Sequence, residues 1–244
     1  MNSLPPGLSL DRAKSRSVTF ATPCYRDISP WHHASMIETV SLLRGLGIAC
    51  EVKMVVGVPV NDARNALANR FLATDHTDLV FIDADEGWDA WNIVRLLASE
   101  QPLIAAVGRK KTAAPDDDLK TWCMGLLPGT LDGVPTDAAG AIEVEYVGTG
   151  LMRINRSVFE TMIAAHPEWE RESAGTQVER FYEFFACDLD PSRKSRNGED
   201  ISFCHRWRAL GGSTFVDPGI TIRHFGTCEY GGNIGRFFEA APSV

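Results

Sequence analysis

Between residues 18 and 107, short apolar runs alternate with segments whose apolar residues recur every three or four positions. The runs are Val18 to Thr22, Val52 to Val58, Leu79 to Ile82 and Leu103 to Val107, and they read as buried strands. Between them, Met36, Ile37, Val40 and Leu43 follow helical spacing, Ala63, Leu67 and Phe71 recur every four residues, and Trp88, Trp91 and Val94 open a further helix. A strand that returns parallel to its neighbour through a helix does so with a right-handed crossover. The alternation therefore dictates βαβ units and a largely parallel sheet covered by helices. With 244 residues, 44% of them hydrophobic, the chain can fill such a core without disulfides.

The second half has a different texture. Residues 112–120 and 128–140 are rich in Pro, Gly and Asp and read as loops or a hairpin. Glu143 to Tyr146 and Leu151 to Ile154 read as strands, and Val158, Met162 and Ile163 mark a helix. Residues 171–198 are polar and irregular, a length that implies either a functional or a disordered segment. A last helix opens near Glu199 and stops at Gly211-Gly212, and Phe215-Val216 and Ile220 to Ile222 follow as expected strands. The expected organisation is a flexible leader over 1–17, a single domain over 18–226, and a Gly-rich tail over 227–244 able to act as a lid.

Composition narrows the class. Acidic residues number 32 against 24 basic ones, a net charge of -8, so a general basic footprint for nucleic acid is missing. The six cysteines (24, 50, 123, 187, 204 and 228) form no C-x-x-C pair and read as reduced thiols of a cytoplasmic protein. No window approaches the ~20 apolar residues of a membrane span, and the first 17 residues lack the apolar stretch of a signal peptide.

Chemistry concentrates in DLVFIDADEGWD, Asp78 to Asp89. Two apart in extended chain, Asp83 and Asp85 point to the same side, at the carboxyl end of a strand where open α/β sheets bind ligands. Carboxylates so placed repel unless a cation lies between or beside them. A hard divalent ion fits, with diphosphate oxygens completing its shell. The bland alternative is a strand end followed by helix caps, Glu86 and Asp89 among them, and the pattern alone does not choose.

Gly198-Glu199-Asp200 opens the helix of Ile201, Cys204 and Trp207. Acidic residues in a first helical turn gain ~0.3–1 kcal/mol from the macrodipole, which is a structural reason in itself. The functional reading makes Asp200 a general base for an acceptor hydroxyl, oriented by Glu199. His224 in Arg223-His224-Phe225-Gly226 alternates with Ile220 and Ile222, so a core histidine is the default. As a third metal ligand it would add nitrogen to carboxylate oxygen, a mixture that tilts the choice toward Mn2+ without excluding Mg2+. The histidines at 32, 33, 76, 166 and 205 show no ligand spacing.

The order of these features, T-P-x-Y (Thr22, Pro23, Tyr25), A-R-N (Ala63 to Asn65), strand-D-x-D, G-T-G (Gly148 to Gly150), G-E-D and a strand ending in His224, resembles a GT-A glycosyltransferase. It is most similar to the inverting family-2 enzymes and spans about Val18 to Gly226. The resemblance implies a GT-A (nucleotide-diphospho-sugar transferase) α/β fold, a mostly parallel central sheet flanked by helices with a small second sheet. It implies that Thr22 and Pro23 border the base and ribose, that Tyr25 stacks on the base, and that Arg64 and Asn65 face the nucleotide or its phosphates. Asp83, Asp85 and His224 become metal ligands, Asp83 also facing the donor. Gly148, Thr149 and Gly150 line the sugar pocket, where glycine permits close approach. Asp200 becomes the base beside Glu199.

The implied activity is transfer, dependent on Mn2+ or Mg2+, of a sugar from a nucleoside-diphosphate sugar such as a UDP-sugar. The acceptor hydroxyl would belong to a saccharide, lipid carrier, protein or modified nucleic acid, and inversion is expected. The chain departs from processive synthases: Q-x-x-R-W is missing and Arg206-Trp207-Arg208 does not reproduce it, which points to single additions. Arg109, Lys110 and Lys111 either meet phosphates or an anionic acceptor, or form a solvated strand end. A sugar nucleotidyltransferase would carry G-x-G-x-R where this chain has ATPCYRD. A non-catalytic nucleotide-sugar-binding module is the alternative of a different class.

Overall fold

The computed structural model describes residues 4–112, 119–129, 134–172, 180–190, 195–226 and 228–240. The first apolar runs become β1 (Val18–Cys24), β2 (Cys50–Val56) and β3 (Asp78–Ile82), joined through α2 (Pro30–Gly45) and α3 (Val60–Leu72) and preceded by α1 (Leu10–Lys14). A short β4 (Glu86–Gly87) leads to α4 (Ala90–Ala98), whose cap is Asp89, its side chain accepting from Trp91 N at 2.7 Å. Then come β5 (Leu103–Ala106), β6 (Met124–Gly125), β7 (Ile142–Val144), β8 (Tyr146–Val147), β9 (Leu151–Asn155) and α5 (Arg156–Ala165). Two short pairs follow, β10 (Glu170–Arg171) with β11 (Phe181–Tyr182) and β12 (Leu189–Asp190) with β13 (Ser195–Arg196). The chain ends with α6 (Glu199–Ala209), β14 (Thr214–Val216), β15 (Arg223–Phe225), β16 (Glu229–Tyr230) and α7 (Gly235–Ala240).

The central sheet has seven strands in the order β2-β1-β3-β9-β5-β14-β7. β1, β2, β3, β5 and β14 run one way, and β9 and β7 run against them. β1 and β3 are buried along their whole length, which is why they read as continuous apolar runs rather than alternating ones. On one face Phe20, Val80 and Ile82 pack with Leu43, Ile93 and Leu97 of α2 and α4. On the other, Leu79 and Phe81 pack with Leu67, Phe71, Phe159 and Phe203 of α3, α5 and α6. A second sheet, β16-β15-β4, lies beside the carboxyl ends. This is the α/β architecture expected, a mostly parallel central sheet flanked by helices with small additional sheets.

Several elements differ from expectation. β2 starts at Cys50, ends before Val58 and is half-exposed rather than buried, because it is the sheet's edge. Ile220 and Ile222 are buried but unpaired: Asp217 accepts from Gly219 N at 2.9 Å in a turn, and the strand begins only at Arg223. Trp88 precedes α4, its indole donating to Thr39 Oγ1 at 2.9 Å. Within residues 171–198, Tyr182, Phe184 and Phe185 are core residues. Their backbone is held by Asn69, which accepts from Tyr182 N at 2.7 Å, and by Asn65, which accepts from Phe185 N at 2.8 Å. Residues 113–118 and 130–133 of the expected loops, and 173–179 and 191–194 of the polar segment, lie outside the described residues.

The expected leader and tail also carry structure. Ser9 caps α1, Arg12 donates to Ala98 O at 2.8 Å, and Arg16 donates to Leu97 O and Ser99 O at 2.9 and 3.1 Å. Carbonyls freed at the end of α4 thus find guanidinium partners. Near the other terminus Ile234 is buried in the core, with Phe237 and Phe238 packed against it. All six cysteines are free, and among the described residues no helix is long and apolar enough to cross a membrane.

Candidate functional site

Where β3 ends, backbone hydrogen bonds hold the D-A-D segment from three sides. Asp83 N donates to Gly150 O at 2.9 Å, Ser29 N to Ala84 O at 2.8 Å, and Phe225 N to Asp85 O at 2.8 Å. The segment is therefore the meeting point of the G-T-G turn, the loop after β1 and β15.

Arg64, on the first turns of α3, joins two motifs that are distant in sequence. Its Nη2 donates to Asp83 at 2.8 Å and its Nε to Glu199 at 3.1 Å. The guanidinium is buried, 5.4 Å over the Phe81 ring. Burial opposes its charge, but Asp83, Glu199 and Asp200 outweigh burial and raise its pKa above the ordinary value. Its Nη1 has no hydrogen-bond partner among the described residues. A buried cationic N–H without an acceptor is suited to an incoming anion.

Asp85 sits beside a lysine and a histidine. Lys111 Nζ lies 2.6 Å from Oδ2, and His224 Nε2 lies 3.5 Å from it. Burial raises the Asp85 pKa, but His224 and Lys111 override it and pull the value down to about 2. His224 Nδ1 meets Arg109 O at 2.8 Å, and since a carbonyl only accepts, Nδ1 carries a proton and Nε2 is the atom offered to the site. Burial lowers the His224 pKa, and the Asp85 hydrogen bond reverses that and raises it.

Lys111 thus stands beside Asp85 where a metal cation would neutralise it, and Asp85 and His224 are the two side chains that could contribute to holding one. The third expected ligand does not join them, because the Asp83 carboxylate turns to Arg64. Among the described residues no group of three or more His, Cys, Asp or Glu side chains converges to hold a metal.

The G-T-G turn lies between two carboxyl groups. A Cβ added at Gly148 would stand 3.5 Å from Asp200 Oδ2, and one at Gly150 would stand 2.9 Å from Glu86 Oε1. Gly198 is equally constrained, since its Cβ would stand 2.7 Å from Asp200 Oδ1. Thr149 between the glycines is buried, and its Oγ1 has no hydrogen-bond partner among the described residues. Burial and the neighbouring Glu199 raise the Asp200 pKa, moving the carboxyl toward useful base strength.

Glu86 is the residue that the sequence pattern conceals. It is 3% exposed, its Oε2 has no hydrogen-bond partner among the described residues, and burial pushes its pKa up to about 8, with Asp83 and Asp85 adding to the rise. Gly108 and Gly150 leave it room: a Cβ at either would approach Oε1 to 3.1 or 2.9 Å. Adjacent acidity made it look like a cap; burial is a tertiary fact that the local sequence does not carry.

A cleft of about 460 Å3 adjoins the D-A-D segment, lined by Pro23, Tyr25, Arg26, Asp27, Val58 and the D-A-D residues among others. Tyr25 is exposed at its rim, with the Arg26 guanidinium 5.6 Å from the ring. Two expected lining residues sit elsewhere. Thr22 is fully buried, its Oγ1 3.1 Å from His32 Nε2, because β1 turns that position under the sheet. Asn65 is buried with its side-chain oxygen committed to Phe185 N.

No protein-family model matches this sequence, and no curated protein shows significant similarity to it. Among solved structures, the chain is similar to A197 from STIV at 16% identity, covering 90% of this chain and 91% of that one, with a TM-score of 0.51. It is also similar, at 11% identity and a TM-score of 0.38, to UDP-glucose pyrophosphorylase complexed with UDP-glucose, over 95% of this chain and 83% of that one. The first likeness is one of fold. The second is too low in score to carry an argument.

Proposed function

We propose that this chain is a glycosyltransferase that moves a sugar from a nucleoside-diphosphate sugar, such as a UDP-sugar, to an acceptor hydroxyl with inversion. The observation that supports this reading is Arg64, which ties the D-A-D carboxylate of Asp83 to Glu199, next to Asp200. A candidate anion site and a candidate base thereby lie together at the carboxyl ends of the sheet.

In this reading Arg64 Nη1 receives a diphosphate oxygen, and Pro23 and Tyr25 border the base. Asp85 and His224 would hold a divalent cation, Mn2+ or Mg2+, whose contribution when bound is to neutralise charge on the diphosphate. Lys111 yields Asp85 to it. Asp200 takes the proton of the acceptor hydroxyl, whose oxygen bonds to the anomeric carbon as the bond to the diphosphate breaks, and Glu199 keeps Arg64 in place. The G-T-G turn lets the sugar approach both Asp200 and the D-A-D segment.

Replacing Asp200 with Asn is expected to lower kcat about 10²–10⁴-fold while leaving donor affinity unchanged. Asp85→Ala is expected to weaken metal-dependent donor binding. A thermal-shift screen of nucleoside diphosphates and their sugars with and without Mn2+ identifies the donor, and the anomer of the product tests inversion. Near-wild-type turnover by Asp200→Asn would sink the base assignment. Donor binding without turnover of any acceptor would favour a nucleotide-sugar-binding module.

A further inference from the structure

β2 is the exposed edge of the central sheet and among the described residues pairs with β1 alone. Ala49 O accepts from Val18 N and Gly57 N donates to Cys24 O, so odd-numbered positions turn their backbone groups toward β1. By strand alternation Cys50, Val52, Met54 and Val56 turn their N–H and C=O groups outward. Edges are usually blunted by a proline, a bulge, a very short strand or charged side chains, and of these β2 has only Glu51 and Lys53. This one is seven residues long, regular in register along all of β1, and apolar on the face toward α2. Val52 is 45% exposed, Val56 57%, and Ile37 on the adjoining α2 56%. A groove of about 580 Å3 runs between α2 and β2, lined by Met36, Ile37, Val40, Val52 and Met54 among others.

We propose that a second copy of this chain pairs antiparallel with β2 about a two-fold axis through Val52, joining two seven-stranded sheets into one. The charges select this occupant and this register. Glu51 and Lys53 share one face of the strand, 3.2 Å apart. With Val52 opposite Val52, Glu51 of each copy faces Lys53 of the other at the closely spaced, non-hydrogen-bonded pairs on both sides of the axis. Sliding the copies to centre on Met54 places Lys53 opposite Val55 and loses both pairs. A slip by one residue turns outward-facing backbone groups against inward-facing ones and loses the ladder.

The axis is perpendicular to the sheet, so each α2 remains on the same face as its copy, and Ile37 and the groove become shared apolar contact. The strands of the second copy run the opposite way. Its cleft therefore opens at the other edge of the joined sheet, and both sites stay accessible.

Light scattering and sedimentation over a concentration series test this. The expected result is a dimer. Val52→Pro, at a position whose N–H faces outward, is expected to give a folded monomer whose unfolding midpoint no longer depends on protein concentration. Lys53→Glu alone and Glu51→Lys alone each place like charges opposite one another and should raise the dimer Kd about tenfold or more. Mixing these two variants should restore a tight heterodimer, because every opposed pair is again of opposite charge. A chain monomeric at all concentrations, a dimer indifferent to Val52→Pro, or a mixture no tighter than its components would overturn the proposal.

Discussion

The two ends of β3 both place an aspartate against a buried arginine, and the contrast between them separates a saturated carboxylate from a partly open one. At the amino end Asp78 is fully buried and accepts hydrogen bonds from Arg16, Arg153, Thr77 and Asn155, with Arg16 and Arg153 both at 3.1 Å. Just past the carboxyl end, Asp83 is one-third exposed and is held by Arg64, which keeps one N–H unspent. Glu86 Oε2 and Thr149 Oγ1, without hydrogen-bond partners among the described residues, lie at that same end. Structural polar networks are saturated; groups that await a ligand are not. Arg153 does keep an unpartnered Nε, and burial lowers its pKa to about 10 despite Asp78, so the contrast is carried by the acids rather than by the arginines.

The contrast breaks first, and by the largest margin, at Asp78. Asp78→Ala strands two arginine charges and should lower stability by about 3–5 kcal/mol in urea unfolding. Asp83→Ala leaves the buried Arg64 its second carboxylate, Glu199, and removes a partly exposed partner, so it should lower stability less, by about 1 kcal/mol. Equal losses would mean that both ends are structural.

Next in size is Arg64→Met. Calorimetric titration should show binding of nucleoside diphosphates weakened about tenfold or more, the loss expected for a charged hydrogen bond. Unchanged affinity would move the anion site elsewhere.

The smallest effect is read from pH. Because the Glu86 pKa is raised in the folded protein, its contribution to stability is complete below the ordinary carboxyl value and is lost as pH rises through about 8. Between about pH 5 and pH 9 in metal-free buffer, the unfolding midpoint of the wild type should fall relative to that of Glu86→Gln. Parallel profiles would show that Glu86 is not buried as an acid.

Much of the fold is legible in the sequence because the inner strands are apolar throughout and the helices between them keep their period. β2 misleads for a physical reason: valines at a sheet edge look like valines in its centre, and only the partner count distinguishes them. The anchor at Tyr182, Phe184 and Phe185 escapes notice because charged residues surround it and its two clamps, Asn65 and Asn69, sit over a hundred residues away. In the site, motif order brings Asp83, Asp85, Arg64, Glu199, Asp200 and His224 to the same end of the sheet. Spacing does not tell which carboxylate faces which cation. Asp83 prefers a buried guanidinium whose position depends on α3, and Thr22 and Asn65, one strand position and one helical position from productive directions, turn inward.

The Asp78 network also sets a clock on assembly. Its members come from residue 16, residues 77 and 78, and residues 153 and 155, with 75 residues separating Asp78 from Arg153. β9 is inserted between β3 and β5, so a growing chain that has made β1, β2 and β3 still carries an open apolar strand edge and a carboxylate without its full complement of cations. Release of residues 151–155 from the ribosome closes both at once. The amino-terminal half is therefore a dependent fragment, exposed to misassociation during synthesis, and cutting the chain between β5 and β9 should yield two pieces that fold only together.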